Sequence, residues 1–295
     1  MVNYLIGCHV SGAGGVFNAP KNAHELGCET FQIFTRPPMG GPAGVIDDVM
    51  IERFKSEMQA YGFETFVVHC PYFVNFGSGT PRIYHGSISV VSEELKRANS
   101  LGAQYVMTHL GSAKDLGDEK AFAQTKKGLT EVLNKYEGTT QFLLEIAAGA
   151  GAVIGDTFEE LADLMEPLKK FKTFGGICFD TQHAFSSGYD LRDKKAVEET
   201  FKKFDKAIGL KWFKMSHIND SKTDLDGRKD RHDHIGDGKI GEPGFKAFLR
   251  SLQSNLIPKI KNPKSAVPFP LILETEHDKV KTDIEILKKL RNSLK

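Results

Sequence analysis

Short β-rich apolar runs punctuate the chain, and nearly all of them close on a charged or titratable residue. They are "YLIGCH" (4–9), "TFQIFT" (30–35), "TFVVH" (65–69), "QYVMTH" (104–109), "QFLLE" (141–145), "GICFD" (176–180), "WFKMSH" (212–217) and "PLILE" (270–274). Of these eight runs, seven end in His, Asp or Glu. The intervals carry helical spacing. After Asp47 and Asp48, two candidate caps, apolar residues fall at Val49, Ile51, Phe54, Met58 and Tyr61, and Gly62 ends the pattern. Similar stretches occupy 87–101, 118–136, 157–168, 193–208, 243–252 and 280–291. Strands apolar on both faces, alternating with helices, indicate a parallel sheet covered on both sides. Eight such units predict an α/β chain folded as one (β/α)8 TIM barrel over residues 1–295, with its active site at the C-terminal ends of the strands.

Those strand ends carry the chemistry. A buried parallel strand has no structural need for a carboxylate or imidazole at its tip, because burying an unpaired charge is costly. A single polar end, such as Asp180 in "CFDTQHAF" (178–185), would pass for a helix cap. A recurring set implies a ring: His69, His109, Glu145, Asp180, His217 and Glu274. Two further groups lie just beyond, His183 and the Asp230/His232 pair of "KDRHDHIGDGKIG" (229–241). Imidazole with carboxylate and no thiolate suits Zn²⁺, Mn²⁺ or Fe²⁺. Five histidines and four carboxylates are more than one ion can use, so two or three metals are expected.

Composition changes this picture little. Net charge is +1, without the basic excess of a typical nucleic-acid binder. Three divalent ions against four carboxylates would nevertheless leave a positive pocket floor, which attracts a phosphodiester. The start "MVNYLIGCHVSG" lacks a signal-peptide pattern, no window is long and apolar enough to span a membrane, and the four cysteines form no Cys-x-x-Cys pair. A cytoplasmic protein is expected, without an obligate protein partner. Cys8 and Cys70 alternate away from His9 and His69 and read as core. Trp212 reads as structural, opening its strand at the far end from the site.

Seven segments in order carry a family resemblance: "GCHVSGAGG" (7–15), "HCPYFVNF" (69–76), "LLEIAAGAGAVIG" (143–155), "CFDTQHAFSSGYDL" (178–191), "SHIND" (216–220), "DRHDHIGDGKIG" (230–241) and "LILET" (271–275). Over nearly its full length the chain resembles endonuclease IV, the metal-dependent apurinic/apyrimidinic (AP) endonuclease family. The resemblance implies three zinc ions. His69, His109 and Glu145 would hold the first, and Glu145 would bridge to a second completed by Asp180, His217 and Glu274. His183, Asp230 and His232 would hold the third. It also implies duplex DNA containing abasic sites as substrate, cleaved 5′ to the lesion in base-excision repair, with Glu145 catalytic. Tyr72 and Phe73 match residues that enter the DNA. The loop "TRPPMGGPAG" (35–44) departs: Met39 stands where an Arg is common, with Arg36 as a partial substitute, and Ala147 and Ala150 replace a Thr and a Gln.

Other histidines have plainer readings. His9 either lines the DNA face or hydrogen-bonds within the barrel mouth. His24 is expected at the surface or in packing, and His85 has no matched role. His234 and His277 lie close enough to support the ligands. "PKIKNPK" (258–264) is read as a solvated loop with a possible phosphate contact. The competing function is a metal-dependent sugar isomerase or epimerase on the same barrel, which would not need His183, Asp230 and His232.

Overall fold

The structure, a computed structural model, describes residues 4–256 and 269–294; the 258–264 segment lies outside them. In chain order the strands are β1 (Tyr4–His9), β2 (Thr30–Ile33), β3 (Val67–His69), β4 (Tyr105–Thr108), β5 (Gln141–Glu145), β6 (Phe174–Asp180) and β7 (Phe213–His217). A two-stranded ribbon follows, β8 (Asp220–Ser221) and β9 (His232–Asp233), and then β10 (Phe269–Leu273). All except the ribbon form one closed parallel barrel, ordered β1-β10-β7-β6-β5-β4-β3-β2. The eight runs are the eight barrel strands.

Strand alternation separates two apolar regions. Outward positions such as Cys8, Phe31, Val68, Val106, Leu144 and Phe179 join the large core between sheet and helices. Inward positions form a smaller plug of Val67, Tyr105, Met107, Leu143, Cys178, Met215 and Ile272. Cys8 and Cys70 are fully buried in the outer core, as alternation requires. The plug, drawn from β3, β4, β5, β6, β7 and β10, fills the barrel axis, so the next inward residue on each of these six strands has nowhere to go but the mouth. That residue is the polar tip.

The helices are α1 (Ala19–Glu25), α2 (Asp48–Ala60), α3 (Pro81–Leu101), α4 (Asp118–Asn134), α5 (Phe158–Met165), α6 (Thr181–Ser186), α7 (Lys194–Ala207), α8 (Gly241–Ser251) and α9 (Val280–Asn292). Asp47 caps α2 by accepting from the Met50 amide, and Thr157 and Asp193 do the same for α5 and α7. Three differences from sequence expectation have local causes. Helix α3 starts six residues early, at Pro81, whose fixed φ and missing N–H suit a first helical position. Trp212 belongs to a single 3₁₀ turn before β7 rather than to the strand. The six-residue α6 is too short to leave a periodic pattern. Among the described residues no helix is long and apolar enough to cross a membrane.

Candidate metal centre

The six strand-tip groups converge at the mouth. Glu145 is completely buried at their centre. Its Oε1 lies 2.6 Å from His217 Nδ1, and its Oε2 lies 3.1 Å from His69 Nε2 and 3.7 Å from His109 Nε2. Glu274 Oε2 is 3.3 Å and Asp180 Oδ2 3.9 Å from the same His217 nitrogen. These spacings bring His69, His109 and Glu145 into one ligand set and Glu145, Asp180, His217 and Glu274 into another.

The third set forms beside them. His183 Nε2 lies 3.4 Å from Asp230 Oδ1, and His232 Nε2 lies 3.5 Å from it. Asp180 Oδ2 is 3.7 Å from His232 Nε2, so Asp180 reaches both the second and third sets. "CFDTQHAF" is explained by this double use. Asp180 Oδ1 accepts the His183 amide (2.7 Å) and caps α6, while Oδ2 faces the ring. The cap swings His183 inward one turn beyond the strand.

The ligand-bearing loops are anchored by buried carboxylates and amides. Asp220, on β8, accepts backbone N–H groups from Ser221, Gly236, Gly238, Ile240 and Gly241, all within 3.2 Å. A Cβ on Gly238 would sit 2.5 Å from that carboxylate, which is why this Gly-rich loop can close around it. Asn219 donates to Asp180 (2.8 Å) and accepts the Glu274 amide (2.8 Å). Asp283, on α9, holds His234 (2.7 Å), the Ile235 amide and the Thr275 hydroxyl, tying the segments after His232 and Glu274 together.

Electrostatically Glu145 is held ionised by the imidazoles around it, while burial pushes the half-buried His109 imidazole down. Burial alone would push the Glu145 carboxyl up, yet His217, His109 and His69 hold it well below the usual carboxylate range. The His217 imidazolium is favoured against burial by Cys178, Glu145 and Glu274. For His183, burial is outweighed by Asp180, Asp230 and Glu145, which raise it to about 10. His183 Nε2 and His232 Nε2 are buried and make no hydrogen bond, and such nitrogens need a partner. Orphaned imidazole nitrogens facing clustered carboxylates fit a divalent ion bound by N and O ligands.

The residues expected at the DNA face divide. Tyr72 and Phe73 are exposed at the rim, and the Tyr72 amide donates to Pro38 O (3.1 Å), placing the loop that carries Met39 beside them. Arg36 is not on that surface. Its guanidinium is buried, 2.6 Å from Glu94 and 2.7 Å from Glu93, because the fully buried Glu94 needs cations and Arg36 and Arg97 supply them. His9 hydrogen-bonds within the mouth, Nδ1 to Gln32 Nε2 at 3.0 Å, and burial pushes its imidazole down to about 3, so it is neutral. It also lines a cavity of about 640 Å³. His24, His85 and His277 are exposed. Sequence reasoning missed Gln32, Asn219 and Asp220. Only "SHIND" pointed toward the last two, while Gln32 sits on the one run whose tip is not ionisable.

Comparison with known proteins fits this geometry. Residues 20–290 match the family model described as a xylose isomerase-like TIM barrel. The chain is 38% identical, over 97% of its length and 98% of the relative's, to a probable endonuclease 4 of Nitrosopumilus maritimus (strain SCM1). The crystal structure of endonuclease IV from Thermus thermophilus superposes with a TM-score of 0.82 at 28% identity, covering 98% of this chain and 99% of that one. A D-tagatose 3-epimerase-like protein, at TM-score 0.73 and 20% identity over 98% of both chains, shares the barrel alone. Because the match to a relative above the level of fold likeness runs almost end to end, this chain belongs to the endonuclease IV family.

Proposed function

We propose that the protein is a zinc-dependent AP endonuclease that hydrolyses the phosphodiester 5′ to abasic sites in duplex DNA. The products would be a 3′-hydroxyl and a 5′-deoxyribose phosphate, and the pathway base-excision repair. The single observation that carries this reading is the third ligand set. His183, Asp230 and His232 lie beside the Glu145-centred ring, and a one- or two-metal sugar epimerase would have no use for them.

Three zinc ions fit the nine side chains: His69, His109 and Glu145; Glu145, Asp180, His217 and Glu274; His183, Asp230 and His232. When bound, divalent ions make water acidic enough to attack near neutral pH and offset charge on phosphate oxygens. The chain's own contribution is placement. Glu145, between two ligand sets, orients the attacking water. A cavity of about 630 Å³ beside the ring, lined by Tyr72, Phe73, His109, Ala147, His183 and Asp230, would receive the extruded sugar. Extrusion costs less where the base is already missing. Tyr72, Phe73 and Met39 would fill the gap left in the stack, and His9 would offer its Nε2–H at the mouth. With Ala147 and Ala150 on the cavity side, grip there comes from shape and main-chain groups.

The test is direct. Zinc-loaded protein should nick a duplex carrying a tetrahydrofuran abasic analogue on the 5′ side, and prolonged chelation should abolish the nicking. Intact analogue duplex after incubation with fully loaded protein would sink the reading.

A further inference from the structure

What holds a metal ligand matters nearly as much as the ligand. An imidazole that offers one nitrogen to an ion must carry its proton on the other, and that N–H needs an acceptor. His69 and His183 meet this need with main chain. Each uses Nδ1 on a backbone carbonyl, that of Cys70 and of Ile146 (2.9 Å) respectively, which leaves Nε2 toward the cluster. His217 is turned the other way. Its Nδ1 faces Glu145 and Glu274, and its Nε2 lies 2.7 Å from the side-chain oxygen of Gln32.

Gln32 occupies the inward position of β2, between the outward-facing Phe31 and Ile33, and is fully buried. Its nitrogen lies 2.7 Å from Glu274 Oε1 and 3.0 Å from His9 Nδ1. The ionised Glu274 carboxylate can only accept, so the amide nitrogen belongs on its side and the amide oxygen on the His217 side. Both amide hydrogens are then committed, one to each acceptor. The register agrees, since Gln32 is the cross-strand partner of His9.

Resting on the metal-site reading above, we infer that Gln32 is the positioning residue of the Glu145–Asp180–His217–Glu274 set. It keeps the His217 proton on Nε2 so that Nδ1 stays bare, turns Oε2 of Glu274 inward, and fixes the ring of His9 at the mouth. This gives a role to β2, which with β1 is one of the two barrel strands whose tips carry no ligand. β2 contributes one residue deeper, through a side chain that holds ligands rather than being one.

The test compares wild type with Gln32→Met, which keeps length and removes all three hydrogen bonds. A second variant, Gln32→Glu, keeps an acceptor for His217, sets like charge against Glu274 and removes the donor to His9. Zinc is titrated against a chromophoric chelator, and the His217 imidazole N–H is followed by nitrogen-15 NMR in the zinc-loaded protein. Gln32→Met should weaken one zinc equivalent by about 10- to 100-fold, leave the others unchanged, and erase the protected Nε2–H signal. Gln32→Glu should weaken the same equivalent while retaining that signal. Unchanged zinc affinities, or an equal loss at every equivalent, would overturn the inference. If Gln32→Met does not fold, Gln32→Glu decides by the same two readouts. The readouts also separate the two proposals. A wild type that cleaves no abasic duplex but shows the selective zinc effect would sink only the proposed function. Normal cleavage with zinc affinities indifferent to Gln32 would sink only this inference.

Discussion

The floor and the rim of the barrel mouth are built on opposite principles. On the floor, Glu145, Asp180 and His217 are completely buried, sit on strand tips, and have neighbours that account for their polar atoms. On the rim, Met39 is 81% exposed, Tyr72 53% and Phe73 40%, all on loops. Floor residues are placed by the sheet, whose register leaves each tip one position. Rim residues are placed by loop anchors, chiefly the Arg36–Glu94–Arg97 clamp and the Tyr72–Pro38 hydrogen bond. Substitutions on the floor should therefore stop chemistry, whereas those on the rim should weaken DNA binding and leave chemistry standing.

The sharpest break of this contrast is Glu145→Gln. The amide keeps the shape but removes the charge that both ligand sets share. Turnover on abasic duplex should fall by about 10³-fold or more, with the fold intact by circular dichroism and substrate affinity nearly unchanged. A variant retaining most of its activity would show that the central carboxylate is not where the reaction is organised.

Between floor and rim lies Asp230, half-exposed on the loop that the β8–β9 ribbon folds back over the ring. Asp230→Asn should lower bound zinc by one equivalent in elemental analysis and reduce turnover by about 10²-fold, a smaller loss than at Glu145. Loss of two equivalents would mean that the third set is not separable from the ring.

How far this was readable in advance follows the same division. The barrel, its eight strands and the six strand-tip candidates could be read from apolar runs closed by ionisable residues, because burying a charge marks the sequence. His183, Asp230 and His232 lie beyond the runs and stood out only as a nearby His and an Asp-x-His pair. Arg36 could not be placed. A cation in a polar loop suggests DNA contact, and only the fold reveals the buried Glu94 on α3 that claims it. Gln32 was invisible for a related reason: an uncharged amide inside a β-rich run breaks no pattern, and its importance lies in partners 185 and 242 residues away. Helix α6 was missed because its cap residue also belongs to a strand.

Proton linkage offers a gentler probe of the floor. In the metal-free protein His183 is raised from 6.5 to about 10 and His217 well above 6.5, so both are imidazolium at neutral pH. Against its burial, His69 is raised as well by Glu145 and Glu274. A raised imidazole stabilises the metal-free fold fully below its unfolded value and loses that contribution as pH climbs through the folded one. Glu145, held low, contributes above the ordinary carboxylate range and loses its effect in acid. Ion binding requires neutral imidazoles, so zinc uptake near pH 7 should release at least about two protons, and affinity should fall as pH is lowered. Calorimetry in buffers of different ionisation enthalpy counts them. Identical heats in all buffers would mean the histidines are already neutral before the metal arrives.

The smallest effects belong to the rim, where two residues can be ranked. Tyr72 packs its ring against Phe34 and His69 at centroid distances of 5.2 and 5.8 Å, so it presents a braced aromatic face. Base–aromatic stacking is worth about 1–3 kcal/mol, and Tyr72→Ala should weaken binding to abasic duplex by about tenfold or more. Met39, far more exposed, has its position set by the clamped base of its loop. Met39→Ala removes apolar area without aromatic stacking, so a loss of about two- to fivefold is expected. Both should appear in equilibrium binding of the tetrahydrofuran duplex and leave single-turnover cleavage at saturating protein unchanged. A Met39 loss equal to that of Tyr72 would mean the loop tip enters the duplex as deeply as the ring. A change in the single-turnover rate for either variant would erase the distinction between floor and rim.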